Sequence, residues 1–277
     1  MLSVIIPANN EAGYIGHCLD AVLASNALSE PAVEIIVAAN ACTDSTVAEA
    51  QSRAATAKQR GWTLAVLDIP SPGKLNALNV AECTAAGDKR LYLDADIVVE
   101  PALLGQIDAA LDRQTPVYAT GTVDIIAPPN WVSRAYRRVY RKVPYNTSTI
   151  AGYGLFAVNA AGRTRWGPFP DIIADDQFVR LQFDAAHRIR VPARYAWPLA
   201  EGFGTLVKVR RRQDRGNAEI ASLWPEKMTR EDKTPTTLGW MISAALRDPI
   251  GFLTYASVIG LARLGRDNDP AIWARGR

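Results

Sequence analysis

Leu91-Tyr92-Leu93-Asp94-Ala95-Asp96-Ile97-Val98-Val99 is an apolar run that carries two carboxylates. Read as a buried strand over 90–97, it places side chains i and i+2 on one face, so Asp94 and Asp96 project together. Two like charges side by side on a core strand are costly unless something positive compensates them. A divalent cation shared with an anionic phosphate does this economically, because Mg²⁺ and Mn²⁺ prefer oxygen ligands and share them with phosphates. In the competing structural reading, one Asp caps a helix beginning near Pro101 and the other sits solvated at the strand end. Alone, Asp-x-Asp does not choose between them.

The chain before this stretch alternates apolar strands with amphipathic helices. Strand-like runs cover 3–7, 33–38, 63–69 and 90–97. Ile15, Leu19, Val22 and Leu23 recur at helical spacing, with Asn9 or Asn10 as the expected cap. A second helix is expected after Thr43-Asp44-Ser45 and a third after Gly73-Lys74. Such alternation implies a mostly parallel sheet with right-handed crossovers and ligands beyond the carboxyl ends of its strands. Asp94, Asp96, the Asn9-Asn10-Glu11 turn and the loop from Asn40 to Asp44 all fall on that rim.

Beyond residue 115 the rhythm changes. A strand over 117–126 is followed by the Pro128-Pro129 break and a basic-aromatic helix over 131–145 with Arg134, Arg137, Arg138, Arg141 and Lys142. Residues 150–158 read as a strand containing Gly152-Tyr153-Gly154. Phe169-Pro170-Asp171 leads to a helix that starts near Asp175-Asp176, and 188–199 alternates like an exposed strand. Arg210, Arg211, Arg212 and Arg215 cluster around Gln213 and Asp214. No internal repeat or low-complexity linker appears, so one continuous domain over 1–235 is expected, followed by a helical tail over 236–277. In the tail, apolar segments 239–247 and 249–262 flank Arg247-Asp248, with Pro249 suited to a first helical position and Asp248 to its cap. The longer run is 14 residues, short of the ~20 that cross a bilayer as a helix. Arg263 and Arg266 flank its far end. Two readings stand: a packed helical hairpin, and an interfacial membrane helix.

With 277 residues and 48% hydrophobic content, the chain has ample material for a core. A net charge of +3 and a pI near 8.8 do not argue for nucleic acid. Cys18, Cys42 and Cys83 are odd in number and lack metal-ligand spacing, so buried reduced thiols in a cytosolic protein are expected. Residues 2–6 already read as a strand with no charged leader before them, which places the active site on the cytoplasmic side.

Five motifs in register carry a resemblance. Ser3-Val4-Ile5-Ile6-Pro7-Ala8-Asn9-Asn10-Glu11 resembles the opening of family 2 glycosyltransferases, and Glu34 to Asp44 resembles their second motif. Gly73-Lys74-Leu75-Asn76-Ala77-Leu78-Asn79 is similar to their glycine-lysine helix start, Asp94-Ala95-Asp96 to their metal motif, and Asp175-Asp176 to their acidic pair. Order and spacing agree over roughly 2–216. The resemblance implies a GT-A fold: a Rossmann-like, mostly parallel sheet flanked by helices, with a nucleotide-sugar half over about 1–115 and an acceptor half over about 116–235.

It also implies roles. Pro7, Asn9, Glu11, Asn40, Lys74, Asp94, Ala95 and Asp96 would bind the nucleotide sugar. Asp96, with Asp94, would ligate Mn²⁺ or Mg²⁺ bridging the two phosphates. Asp176 would be the general base that takes the acceptor proton, and Asp175 would orient its neighbours, with swapped roles open. Gly152, Tyr153 and Gly154 would meet the acceptor. Arg212-Gln213-Asp214-Arg215-Gly216 resembles the motif of processive relatives, so Arg212 and Arg215 would engage the diphosphate; Gly216 replaces a Trp, removing an acceptor-stacking surface. Asn10 and Asp44 would satisfy loop backbone and helix ends. Ala39 stands where an acid commonly contacts the base, and Asn9 where relatives carry an aromatic. The expected activity is an inverting hexosyltransferase with a UDP-sugar donor by default and an amphiphilic or lipid-linked acceptor, cytoplasmic or peripheral on the inner membrane face. A sugar-1-phosphate nucleotidylyltransferase is the alternative enzyme, but the loop from Pro7 to Glu11 lacks the basic residues that grip a triphosphate. A degenerate binding module is the non-enzymatic alternative, against which stand Asp94, Asp96 and Asp176.

Overall fold

The computed structural model describes residues 1–26, 28 and 33–264. Four strands, β1 (Leu2–Ala8), β2 (Val33–Asn40), β3 (Thr63–Ile69) and β4 (Lys89–Leu93), alternate with α1 (Ile15–Leu23), α2 (Thr46–Gln51), α3 (Ala54–Gln59) and α4 (Lys74–Thr84). Then come β5 (Val98–Val99), α5 (Leu103–Leu111), β6 (Tyr118–Ile126), α6 (Trp131–Tyr140), α7 (Pro144–Ser148), β7 (Leu155–Val158) and α8 (Ala160–Arg163). The remainder is α9 (Asp175–Arg180), β8 (Arg188–Pro198), α10 (Phe203–Leu223), α11 (Leu238–Arg247) and α12 (Pro249–Leu264). One sheet runs β3-β2-β1-β4-β7-β6-β8-β5. Its first four strands are parallel, with Leu2 opposite both Val33 and Lys89. The β4–β7, β6–β7 and β5–β8 pairs are antiparallel. Every residue of β1 is buried, as a parallel strand covered on both faces requires. On α1 the apolar stripe Ile15, Cys18, Leu19, Val22 and Leu23 is buried.

Several sequence expectations shift in detail. The 90–97 strand stops at Leu93: Asp94 to Asp96 form a turn in which the Ile97 N–H donates to Asp94 O (3.2 Å), and Val98–Val99 leaves to pair with β8. The two carboxylates therefore stand in a turn and not on one strand face. The N-cap position of α1 is Tyr14, whose side chain makes no capping bond, while Asn9 and Asn10 are engaged by the 40–43 loop. The 131–145 helix breaks in two, since Pro144 has no N–H to continue it and instead opens α7. The strand over 150–158 shrinks to Leu155–Val158. The arginine cluster lies inside the 21-residue α10. Of the thiols, Cys18 is buried, Cys42 half-buried and Cys83 exposed; all three are free.

The chain divides into two compact units. The first comprises Met1–Asp124, Gly152–Asp171 and Phe178–Trp197 and contains most of the sheet. The second comprises Ile125–Ala151, Ile172–Gln177 and Pro198–Arg277, so the tail is part of a larger helical body. Within it α12 buries Gly251, Val258 and Ala262. Asp248 begins that helix: its Oδ1 accepts from the Gly251 N–H (2.9 Å), while Arg138 donates from Nε (2.6 Å) and Nη2 (3.0 Å) to its two oxygens. Arg266 lies outside the described residues. Arg138 holds the Asp248 carboxyl below the ordinary aspartate range. Its contribution is thus complete above about pH 4 and lost as pH falls through the lowered value. Asp248→Ala should cost about 1 kcal/mol at pH 7, the worth of a helix cap, and the deficit should fade in urea melts run at about pH 3 and below. An equal deficit at both pH values would exclude the ionic origin.

Thirteen large apolar side chains are exposed among the described residues, and seven fall between 238 and 264. Leu238, Ile242 and Leu246 share an arc of about 80° on α11, and Ile250, Leu253, Leu261 and Leu264 a similar arc on α12. No described helix is long and apolar enough to cross a membrane.

Candidate active site

In the first unit, two loops at the carboxyl ends of β1 and β2 are locked together. Asn10 and Ala41 both adopt positive φ, +53° and +45°. Asn10 Oδ1 accepts from the Thr43 N–H (2.7 Å) and hydroxyl (3.1 Å), and Asn9 Nδ2 donates to Asn40 O (2.7 Å). The fully buried Asn40 side chain donates to Ala8 O (2.9 Å) and accepts from the Gly73 N–H (3.1 Å). One amide thereby fastens the ends of β1 and β2 to the start of α4. Asn9 and Asn40, expected among the nucleotide-sugar binders, each hold backbone with a side-chain amide and so shape the rim. Pro7 is buried in β1 opposite Ala38. Glu11 is 7% exposed, its N–H donating to Thr46 Oγ1 (2.7 Å). Asp44 accepts from the Thr46 and Ala12 N–H groups (3.0 and 3.2 Å).

Lys74 opens α4 directly after Gly73, whose φ is +127°. Its ammonium pairs with Asp94 Oδ1 at 2.9 Å, the side chains being 15% and 35% exposed. The positive charge that the paired acids call for is therefore supplied in part by the chain itself. Gly154 forms the wall behind Asp94. It sits at φ +66°, its carbonyl accepts from the Asp94 N–H (2.8 Å), and a Cβ would stand 2.6 Å from Asp94 Oδ2. Both the backbone conformation and the contact exclude a side chain there. Gly152 likewise packs against Leu155 O and Tyr118, while the Tyr153 N–H donates to Tyr195 Oη (3.1 Å) and its ring lies 5.5 Å from Trp197. Ala95 is buried and Asp96 half-buried.

Burial pushes the Cys18 thiol far up, and the charges of Asp96, Asp94 and Glu11 add to the rise. Its Sγ approaches Asp94 O at 3.8 Å. Cysteine count and spacing made Cys18 a buried thiol, and nothing in the sequence tied Gly154 to Asp94. Asn79 is a further omission: it clasps Phe169, donating to its carbonyl (3.0 Å) and accepting from its N–H (2.7 Å).

The second unit holds the other candidates. Asp175, 5% exposed, and the half-buried Asp176 form the first turn of α9, with Asp176 Oδ1 accepting from the Gln177 N–H (2.7 Å). Arg212 and Arg215 are half-buried on α10, and Arg210 pairs with Asp214 (2.9 Å). Burial raises the Tyr140 hydroxyl to about 12 against the opposing pull of Arg210; Tyr255 and Asp176 add to the rise. Among the described residues, no group of three or more His, Cys, Asp or Glu could by itself hold a metal ion.

The family profile described as Glycosyl transferase family 2 matches residues 3–166. No curated protein matches the chain. Among solved structures, mannosyltransferase PcManGT from Pyrobaculum calidifontis, in complex with GDP-Man and Mn²⁺, is similar at 22% identity and TM-score 0.59, over 96% of this chain and 76% of that one. S. aureus TarS 1-349 in complex with UDP-GlcNAc is similar at 15% identity and TM-score 0.54, over 97% and 93%. At these identities the likeness is one of fold, the α/β GT-A architecture.

Proposed function

The chain belongs to glycosyl transferase family 2, and on that premise we propose that it is an inverting hexosyltransferase that moves a sugar from a nucleoside diphosphate sugar to an acceptor hydroxyl. The observation that carries this reading is the cluster of Asp94, Asp96, Glu11 and Lys74 at the carboxyl ends of parallel strands, where such sheets bind ligands. The similar structures bind GDP-Man with Mn²⁺ and UDP-GlcNAc; UDP-sugar is the default donor here.

Mn²⁺ or Mg²⁺ fits the donor set. Asp94 and Asp96 offer hard oxygen atoms, too few for a protein cage but suited to an ion whose remaining ligands come from phosphate and water. When bound, the ion neutralises the charge of the departing diphosphate. Lys74 sits beside Asp94 and adds positive charge on the same side. Glu11 faces the nucleoside, Arg212 and Arg215 engage the diphosphate, and the segment from Gly152 to Gly154 lines the acceptor. Asp176 accepts the proton of the acceptor hydroxyl as that oxygen attacks the anomeric carbon, and Asp175 orients its neighbours.

The acceptor we take to be amphiphilic or anionic. Support comes from the apolar arcs of α11 and α12 and from Arg134, Arg138, Arg141 and Lys142, all exposed on or just after α6, a composition suited to an anionic membrane surface. Two measurements test the reading. Thermal shifts with UDP, GDP and dTDP, each with and without Mn²⁺, should be largest for UDP plus Mn²⁺; a larger GDP shift would replace the donor. Co-sedimentation with anionic vesicles at low salt should succeed and weaken as salt rises, and its failure removes the membrane-linked acceptor.

A further inference from the structure

Gly216 stands in the interior of the 21-residue α10, where glycine is a poorer helix former than alanine. The absence of a side chain has a local reason: a Cβ would come within 2.9 Å of Ala174 Cβ and 3.1 Å of Ile173 Cγ2. The position is no emptied stacking surface, since no side chain fits. One turn further on, Glu219 Oε2 accepts from the Ile173 N–H at 2.8 Å. Glycine contact and carboxylate clamp thus both grip the segment immediately before Asp175-Asp176. Beyond the pair, Gln177 Nε2 donates to Glu231 Oε2 at 2.7 Å. On α10, Arg212, Arg215, Gly216 and Glu219 fall within an arc of about 100°. The face that grips the acidic segment also carries the two arginines.

We infer that this face of α10 positions the acidic pair relative to Arg212 and Arg215, with Gly216 as the seat and Glu219 as the clamp. Both are positioning residues: neither touches the reacting atoms, and each acts through residues 173–174 on the carboxylates that follow. The inference rests on the assignment of Asp176 as base. A displacement of about 1 Å in a reacting group can cost ~10²-fold in rate, so a seat that fixes spacing at this scale governs turnover and leaves donor binding alone.

The test uses the full chain and slow donor hydrolysis, with nucleoside diphosphate release from UDP-glucose and GDP-mannose as the probe. Gly216→Ala should lower kcat about 10-fold or more with donor KM changed less than about twofold. Alanine is the better helix former, so that loss cannot come from a weakened helix. Glu219→Ala should lower kcat similarly and speed hydrogen exchange of the Ile173 amide about 10-fold. Glu219→Gln, which keeps an acceptor oxygen, should restore most of both. Unchanged Ile173 exchange in Glu219→Ala, or an unchanged kcat in Gly216→Ala, overturns the inference, as does a fall in kcat matched by a rise in donor KM. Asp176→Asn run in parallel separates the two claims: hydrolysis as fast as wild type would overturn the base, whereas Ile173 exchange still decides whether the clamp exists.

Discussion

Asp96→Asn is expected to lower turnover by about 10³-fold or more and to abolish the gain in donor affinity that Mn²⁺ gives. The amide keeps the size of the side chain and so the turn closed by the Ile97 N–H. It removes the charge that makes a carboxylate a good ligand for a hard cation. Charge stabilisation by such an ion is worth several kcal/mol in the transition state, and each ~1.4 kcal/mol is tenfold in rate. Calorimetry with UDP should therefore show wild type and variant alike in EDTA and different in Mn²⁺. The Lys74–Asp94 pair is untouched. Wild-type turnover at full rate in excess EDTA would sink the metal-assisted mechanism.

Asp176→Asn should slow turnover by ~10²–10⁴-fold, the usual worth of a positioned base, while nucleotide affinity stays nearly unchanged. Asparagine can still accept the Gln177 N–H through its carbonyl, so this contact in the first turn of α9 is kept while the basic carboxylate is lost. Single displacement needs one base on the acceptor side and no covalent intermediate. NMR of the product from an α-linked donor should accordingly show a β linkage. A retained α linkage would exclude inversion, and a variant as fast as wild type would exclude Asp176 as base. The same substitution at Asp175, which is more buried, should cost less if its role is orientation.

Periodicity was sufficient for the parallel half of the sheet. The strands β1 and β2 appear where apolar runs put them, because burial on two faces leaves a nearly unbroken apolar signature. The antiparallel half was harder to read. A break such as that after Leu93 depends on a partner about a hundred residues away, β8, and no local signal reports it. Pro144 was a local signal, and its missing N–H ended α6 as backbone chemistry requires. The long α10 was not legible: only its arginines around Gln213 and Asp214 stood out, and they do not follow a single helical face.

For the candidate site, sequence by itself determined which residue types are available: paired acids in one turn, a lysine after a glycine, a second acidic pair, and a family whose profile spans 3–166. These are properties of composition and spacing, and they survive any detail of packing. Tertiary structure alone decided how the groups are used. It showed Asn40 to be a buried brace, paired Lys74 with Asp94, set Gly154 against the same carboxylate, and packed Gly216 against Ile173 and Ala174. The physical reason is common to all four: each depends on contacts within a few ångströms between segments distant in sequence. Side-chain chemistry can be read from one residue, but its partner is chosen by the fold.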